Sequence, residues 1–122
     1  MSQENVELVQ RLADAVNAGE VPAFVADDYR GENANTAVTD NTYIGRDGFR
    51  AWRHDMFSPF GEAQLQLDEV VAVGDDYVVC VTSLKGRGAA SDAPLDLSWA
   101  NAFWFRDGRL VRSAVLFAFT KP

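Results

Sequence analysis

Apolar residues near the start of the chain recur every three or four positions, which is the spacing of one face of an α-helix. This pattern begins at Val6 and ends before Gly19, a residue type that commonly follows the last turn of a helix. A second stripe, rich in aromatic residues, precedes Ser58 and Pro59. We predict two amphipathic helices with apolar stripes of Val6, Val9, Ala13 and Val16 and of Phe49, Trp52, Met56 and Phe57.

The segment between these helices carries weaker signals. Pro22 suits the first turn of a helix and residues 23–26 are apolar, so we predict a short additional helix there. Residues 29–45 are rich in Asn and Thr, which predicts a short strand followed by a polar loop.

The pattern changes after Gly61 to alternating apolar and polar positions with many β-branched residues, which indicates strands. Gly74 and the Asp107-Gly108 pair mark tight turns. We predict an antiparallel meander of about four strands. The chain is expected to be one domain over residues 1–122, an α+β fold in which about three helices cover one face of a curved antiparallel sheet.

Alternation also assigns the faces of the strand predicted over residues 95–105. One face carries Trp99, Asn101, Phe103 and Phe105, and the other carries Ser98, Ala100, Ala102 and Trp104. Both faces are largely apolar, and the helices can cover only one of them. We therefore expect a homodimer through the convex, small-residue face of the sheet.

Composition excludes several functions. The chain has 122 residues and a formal charge of −7, which disfavours nucleic acid and anionic membrane surfaces as partners. One Cys and one His cannot form an internal disulfide or a four-ligand zinc site, so we expect no metal and no cofactor. The first residues do not resemble a signal peptide, and no apolar run is long enough to span a bilayer, so we expect a cytoplasmic protein.

Few side chains have the chemistry of a catalytic group. His54 could act as a general base with Asp55 or Asp40 as its partner, although a solvent-exposed histidine is the simpler interpretation. Asn101 is a lone amide within an aromatic face, either paired inside the core or directed at a ligand oxygen. Asn33 presents the same alternative.

Short segments and their order resemble a known superfamily. They are Val9-Gln10-Arg11, Asn17-Ala18-Gly19-Glu20, Ala26-Asp27-Asp28 leading to Glu32-Asn33, and residues 103–111. The chain resembles the nuclear transport factor 2-like superfamily, in particular its branch of SnoaL-like polyketide cyclases and ketosteroid isomerases. The resemblance implies a cone-shaped sheet around three helices and a deep apolar pocket, with dimerisation through the convex face.

Ketosteroid isomerases combine an Asp general base with an oxyanion hole made of a Tyr and a protonated Asp. The resemblance puts the Tyr at Leu12, the base at Asn33 and the protonated Asp at Asn101. Asn33 cannot abstract a proton from carbon, whereas Asn101 can still donate a hydrogen bond. Some cyclases use an acid near the end of the last strand, and residues 117–119 contain none. The resemblance therefore implies a related pocket without classical isomerase activity.

We predict from these observations a protein that binds a small, apolar, oxygenated molecule. The alternatives are an isomerase, cyclase, dehydratase or hydrolase with a rearranged acid/base site, and a dimerisation module. The residues expected to form the ligand pocket are Leu12, Asn33, Trp52, Trp99, Asn101, Phe103 and Phe117.

Overall fold

A computed structural model of the chain describes residues 2–33 and 42–119, apart from the side chains of residues 2, 33 and 117–119. Within these residues, two helices and six strands confirm the predicted α+β class. The helices are α1 (Ser2–Ala18) and α2 (Gly45–Phe57). The strands are β1 (Val25–Asn33), β2 (Thr42–Ile44), β3 (Phe60–Val73), β4 (Tyr77–Gly88), β5 (Pro94–Arg106) and β6 (Arg109–Phe119).

The six strands form one sheet in the order β2-β1-β6-β5-β4-β3. Strands β3 to β6 are the predicted antiparallel meander. The pairing of β1 with β6 is parallel, so the sheet is not wholly antiparallel as predicted. Register shifts after Leu67 in β3 and between Ala100 and Asn101 in β5 interrupt the ladders. Such bulges bend strands and increase their twist, which allows this sheet to curve around the helices.

The prediction of a short helix near Pro22 was wrong, so the described chain has two helices rather than three. Residues 23–24 form a turn, and strand β1 starts at residue 25. The amide of Leu110 in β6 donates to the carbonyl of Phe24 at 2.9 Å. The side chain of Arg46 donates to four more backbone carbonyls at 3.3, 2.9, 3.5 and 2.9 Å, those of Val21, Pro22, Ala23 and Val25. In a helix, such carbonyls would instead accept from backbone N–H groups four residues further along the chain.

Helix α1 packs against β3 and β4, and α2 packs against β1 and β2. The predicted stripe of α1 is buried: Val9, Leu12 and Val16 belong to the hydrophobic core. In the apolar stripe of α2, Phe49 and Trp52 are buried, and their ring centroids lie 5.5 Å apart. The apolar faces of both helices therefore pack against the same side of the sheet.

Strand register separates the two faces of the sheet. Thr82 in β4 pairs with Trp99, whereas Val79 pairs with Ala102. Directly paired residues of antiparallel strands share a face. We call the side that carries Trp99 the helix-facing face and the side that carries Ala102 the outer face. The division predicted for β5 agrees with this register.

The outer face differs from the expected open surface of small residues. Ala100 and Ala102 are only 4% and 2% exposed in the isolated chain, so neighbouring side chains already cover them. The apolar surface open to water on this face lies further out, at Val71 and Val73 of β3, which are 48% and 37% exposed. Leu116 of β6 is 39% exposed.

Two buried acidic groups make stability sensitive to alkaline pH. Burial raises the pKa of Tyr29 from 10.0 to about 12, against a smaller opposing effect of its hydrogen bond to Ser113, and raises that of Cys80 from 9.0 to about 12. Both groups keep their protons longer in the folded chain than in the unfolded chain. Their contribution to stability is therefore complete below pH 9 and decreases as the pH rises to about 12.

We expect urea denaturation to give an unfolding free energy that falls by roughly 2 to 5 kcal/mol over this range because of these two groups. In the variant Cys80→Ala the decline should begin near pH 10 rather than near pH 9. The double variant with Tyr29→Phe measures the background from all other groups. If the unfolding free energy of the double variant declined as steeply with pH as that of the wild type, the assignment of the decline to Cys80 and Tyr29 would be contradicted.

Candidate functional site

A closed cavity lies between the helices and the helix-facing face of the sheet. Its free space is about 10 Å³, which is about the room that one water molecule needs. Residues from α1, α2, β3, β4 and β5 line it, namely Val9, Leu12, Ala13, Val16, Trp52, Leu65, Leu67, Thr82, Trp99, Asn101 and Phe103. None of these side chains carries a charge.

Two polar side chains in this lining pair with each other. The hydroxyl of Thr82 donates to the amide oxygen of Asn101 at 3.0 Å, and both residues are buried. Strand alternation brings the two side chains to the same face on neighbouring strands. The pair orients the Asn101 amide and occupies its oxygen, which leaves its NH₂ group as the available donor.

One N–H donor at this site is buried without an acceptor among the described residues, namely the indole nitrogen of Trp99. The contact with Thr82 is the one hydrogen bond between the Asn101 side chain and another described residue. A buried donor without a partner costs about 1 to 3 kcal/mol. Such a cost is unusual in a protein core.

Five of the seven residues predicted for the ligand pocket surround this cavity: Leu12, Trp52, Trp99, Asn101 and Phe103. The side chains of Asn33 and Phe117 lie outside the described part of the chain. The backbone of Phe117 in β6 pairs with that of Ala100 in β5, next to the register shift. That these residues bind a ligand stays a prediction.

Two of the three catalytic candidates lie away from the cavity lining. His54 and Asp55 are exposed on α2 and do not line it. The Asp55 carboxylate instead accepts a hydrogen bond from the hydroxyl of Tyr43 at 2.8 Å. Asp40 lies outside the described residues.

Sequence reasoning missed Thr82 as part of the site. Residues 77–82 belong to the predicted meander, and alternation within them gives Val78, Cys80 and Thr82 one common face. The pairing of β4 with β5 was needed to place that face beside Trp99. Leu65 and Leu67 were missed for the same reason, since β3 reaches the cavity through its own pairing with β4.

A second polar group lies beside α2, apart from the cavity lining. The hydroxyl oxygens of Tyr29 and Ser113 are 2.6 Å apart. Burial raises the pKa of Tyr29 to about 12. Tyr29 is therefore neutral at physiological pH, and its hydroxyl pairs with Ser113 inside the core. Its ring packs edge-on against Phe49 at 5.6 Å, which indicates a structural role.

Within residues 2–33 and 42–119, no group of three or more His, Cys, Asp or Glu side chains is arranged to hold a metal ion. No helix in the same ranges is long and apolar enough to cross a membrane.

The two helices on a curved, unclosed sheet define the nuclear transport factor 2-like class of fold, the fold of ketosteroid isomerases. A model of the SnoaL-like domain matches residues 9–113. The chain therefore belongs to the SnoaL-like domain family, and the resemblance seen in its sequence is confirmed.

Solved structures with this fold include a candidate SnoaL-like polyketide cyclase from Jannaschia sp., with 19% identity, a TM-score of 0.77, and coverage of 96% of this chain and 86% of that chain. IdmH, a candidate polyketide cyclase from Streptomyces antibioticus, has 18% identity, a TM-score of 0.78, and coverage of 93% and 91%. A protein with a ketosteroid isomerase-like fold from Catenulispora acidiphila, in complex with trimethylamine, has 16% identity, a TM-score of 0.74, and coverage of 91% and 85%.

These identities establish a shared fold and no shared activity. Among curated proteins, no sequence matches this chain.

Removal of one partner of the Thr82–Asn101 pair should cost more stability than removal of both. Asn101→Leu alone leaves the buried Thr82 hydroxyl without its acceptor and should lower the unfolding free energy by about 1 to 3 kcal/mol. The double variant Thr82→Val, Asn101→Leu replaces both partners by apolar groups of similar shape. We expect it to recover most of this loss in urea denaturation. A double variant less stable than Asn101→Leu would contradict a simple pairing of the two side chains.

Proposed function

We propose that this protein binds a small apolar molecule with one hydrogen-bond acceptor oxygen, such as a ketone, in the central cavity. The observation that carries the proposal is the buried indole N–H of Trp99, which has no acceptor among the described residues. The Asn101 amide, whose oxygen accepts from Thr82, lines the same cavity and offers its NH₂ group as a second donor. The remainder of the lining is almost entirely apolar, which favours an apolar ligand body.

The size of the cavity adds a requirement to this proposal. A free space of about 10 Å³ is far below the roughly 300 to 1,000 Å³ of typical small-molecule sites. Binding must therefore be accompanied by outward movement of lining side chains. A ligand would stabilise a wider arrangement of the lining by its higher affinity for that arrangement.

The lining supports binding more than catalysis. Its described side chains are Val, Leu, Ala, Trp, Phe, Thr and Asn, and none of these is a general base near neutral pH. His54 and Asp55 would have to act from the exposed side of α2. The alternative of a rearranged acid/base enzyme therefore has no observation in its favour among the described residues.

Cyclohexanone and cyclohexane form a matched pair of probes, because they share a six-membered ring and only the ketone has an acceptor. We expect the ketone to bind more tightly, by about 2- to 100-fold if it accepts one or two hydrogen bonds. Titration followed by ¹⁵N–¹H NMR should move the indole N–H signal of Trp99 downfield with the ketone. The signal of Trp104, on the outer face, serves as an internal control.

The variant Asn101→Leu removes one of the two donors, so it should weaken the preference for the ketone and keep the affinity for cyclohexane. Equal binding of the two probes to the wild type would contradict the role of the two donors. Absence of binding by either probe would contradict the proposed function itself.

We also propose that a second copy of the chain covers the outer face of the sheet. The proposal is supported by the exposed apolar residues Val71 and Val73 on this face. They flank a stacked pair, Tyr77 and Trp104, whose rings are 5.7 Å apart. The guanidinium of Arg112 lies 4.5 Å from the Trp104 ring. Aromatic residues and Arg are enriched in protein interfaces.

Sedimentation should detect a dimer at micromolar concentration. Val71→Lys puts a charge in the proposed interface and should raise the dimer dissociation constant at least roughly tenfold. Leu97→Lys is the matched control, since Leu97 is exposed to a similar degree, 38%, but pairs with Leu84 on the helix-facing side. A monomeric wild type, or equal effects of both variants, would contradict this interface.

A further inference from the structure

A groove on the surface lies directly outside the central cavity. It runs between α1 and strand β3 and has a volume of about 380 Å³. Three residues line both the groove and the cavity, namely Ala13, Leu65 and Leu67. The wall between them at this point is therefore one layer of side chains, and one of the three is the small side chain of Ala13.

One side chain of α1 forms hydrogen bonds with the β3 backbone beside this wall. Strand β3 lies at one end of the described sheet, so one of its edges has no neighbouring strand among the described residues. Across this edge, the amide oxygen of Asn17 accepts from the backbone N–H of Leu65 at 2.7 Å. Its NH₂ group donates to the backbone carbonyl of Leu65 at 3.0 Å. Asn17 thus pairs with β3 as a further strand would, and it links the end of α1 to the residue that separates groove from cavity.

Other hydrogen bonds attach α1 to other parts of the fold. Near the start of the helix, Asn5 donates to the carbonyl of Asp75, in the turn between β3 and β4, at 2.8 Å. Near its end, Arg53 of α2 donates to the carbonyl of Val16 at 2.7 Å. Within the described residues, the two bonds of Asn17 are the side-chain hydrogen bonds that join α1 to the backbone of β3.

We propose that molecules reach the central cavity between α1 and β3, and that the Asn17–Leu65 pair is the clasp that limits how often this route opens. The assignment of a ligand rests on the proposed function above, whereas the route itself does not. Opening requires loss of two hydrogen bonds and displacement of Leu65 and Leu67 from Ala13. The pairing of β3 with β4 stays intact during this movement, because the residues on either side of Leu65 are paired with β4.

The indole N–H of Trp99 reports on this route without any ligand. It lines the cavity and has no hydrogen bond to a described residue, so access of water to the cavity should limit its hydrogen exchange. We expect Asn17→Leu, which removes both bonds of the clasp, to accelerate this exchange by roughly tenfold or more. Asn5→Leu is the matched control, because it removes an Asn side-chain bond to the backbone from the other end of the same helix.

Exchange of Trp99 should be measured by NMR under conditions where both variants are folded, with urea denaturation to correct for global unfolding. Faster exchange in Asn17→Leu than in Asn5→Leu, beyond any difference in unfolding free energy, supports the route. Equal acceleration in the two variants, or acceleration explained by global unfolding, overturns it.

A second measurement uses cyclohexanone as the probe. A clasp alters the height of the barrier and leaves the bound contacts unchanged, so Asn17→Leu should increase the association and dissociation rates by similar factors, with the dissociation constant changed less than about twofold. A change confined to the dissociation rate would overturn the clasp. If cyclohexanone does not bind to the wild type, the proposed function fails, and the exchange of Trp99 alone then decides whether the route exists.

Discussion

The packing of α1 onto β3 and β4 is the interaction on which both the core and the cavity depend. The same apolar stripe, with Val9, Leu12 and Val16, forms part of the hydrophobic core and part of the cavity lining. Each such side chain contributes roughly 1.5 to 3 kcal/mol when it leaves water. Without α1 the aromatic residues of β5 would face solvent. The site is thus a property of the helix–sheet contact, and movement of the helix necessarily changes the site.

The cavity holds polar groups at a cost in stability. A core of this size filled only with apolar side chains would leave no donor without an acceptor, whereas here the indole N–H of Trp99 is buried without a partner among the described residues. Thr82 donates to the amide oxygen of Asn101 and so orients that amide in the lining. Local violations of the rule that buried donors are paired are expected at functional or strained sites.

Charge has little part in the described site. The chain carries a net charge of −7, yet no lining residue of the cavity is ionisable. Ion pairs such as those of Glu32 with Arg30 and Arg112 lie at the surface, where they contribute about 1 kcal/mol or less. The acidic side chains therefore contribute to the surface of the described chain and not to the lining of the cavity. The polar groups of that lining are neutral.

The sequence by itself determined the elements whose signals are local. Helical periodicity located α1 and α2, and alternation located the meander and the two faces of β5, because these patterns follow from the geometry of a single element. The signal at Pro22 failed because partners far along the chain, Arg46 and Leu110, determine the backbone there. Short segments and their order were also sufficient to identify the family.

Tertiary structure decided what those elements form together. Asn101 could be classified only as either paired or free until strand pairing placed Thr82 on its oxygen and left its NH₂ group without a described partner. The small free volume of the cavity, and the pairing of Asn17 with the edge of β3, depend on how α1 is positioned on the sheet. Neither is encoded in a local pattern, because both arise from contacts between residues about 20 to 50 positions apart, which only the folded chain brings within hydrogen-bond distance.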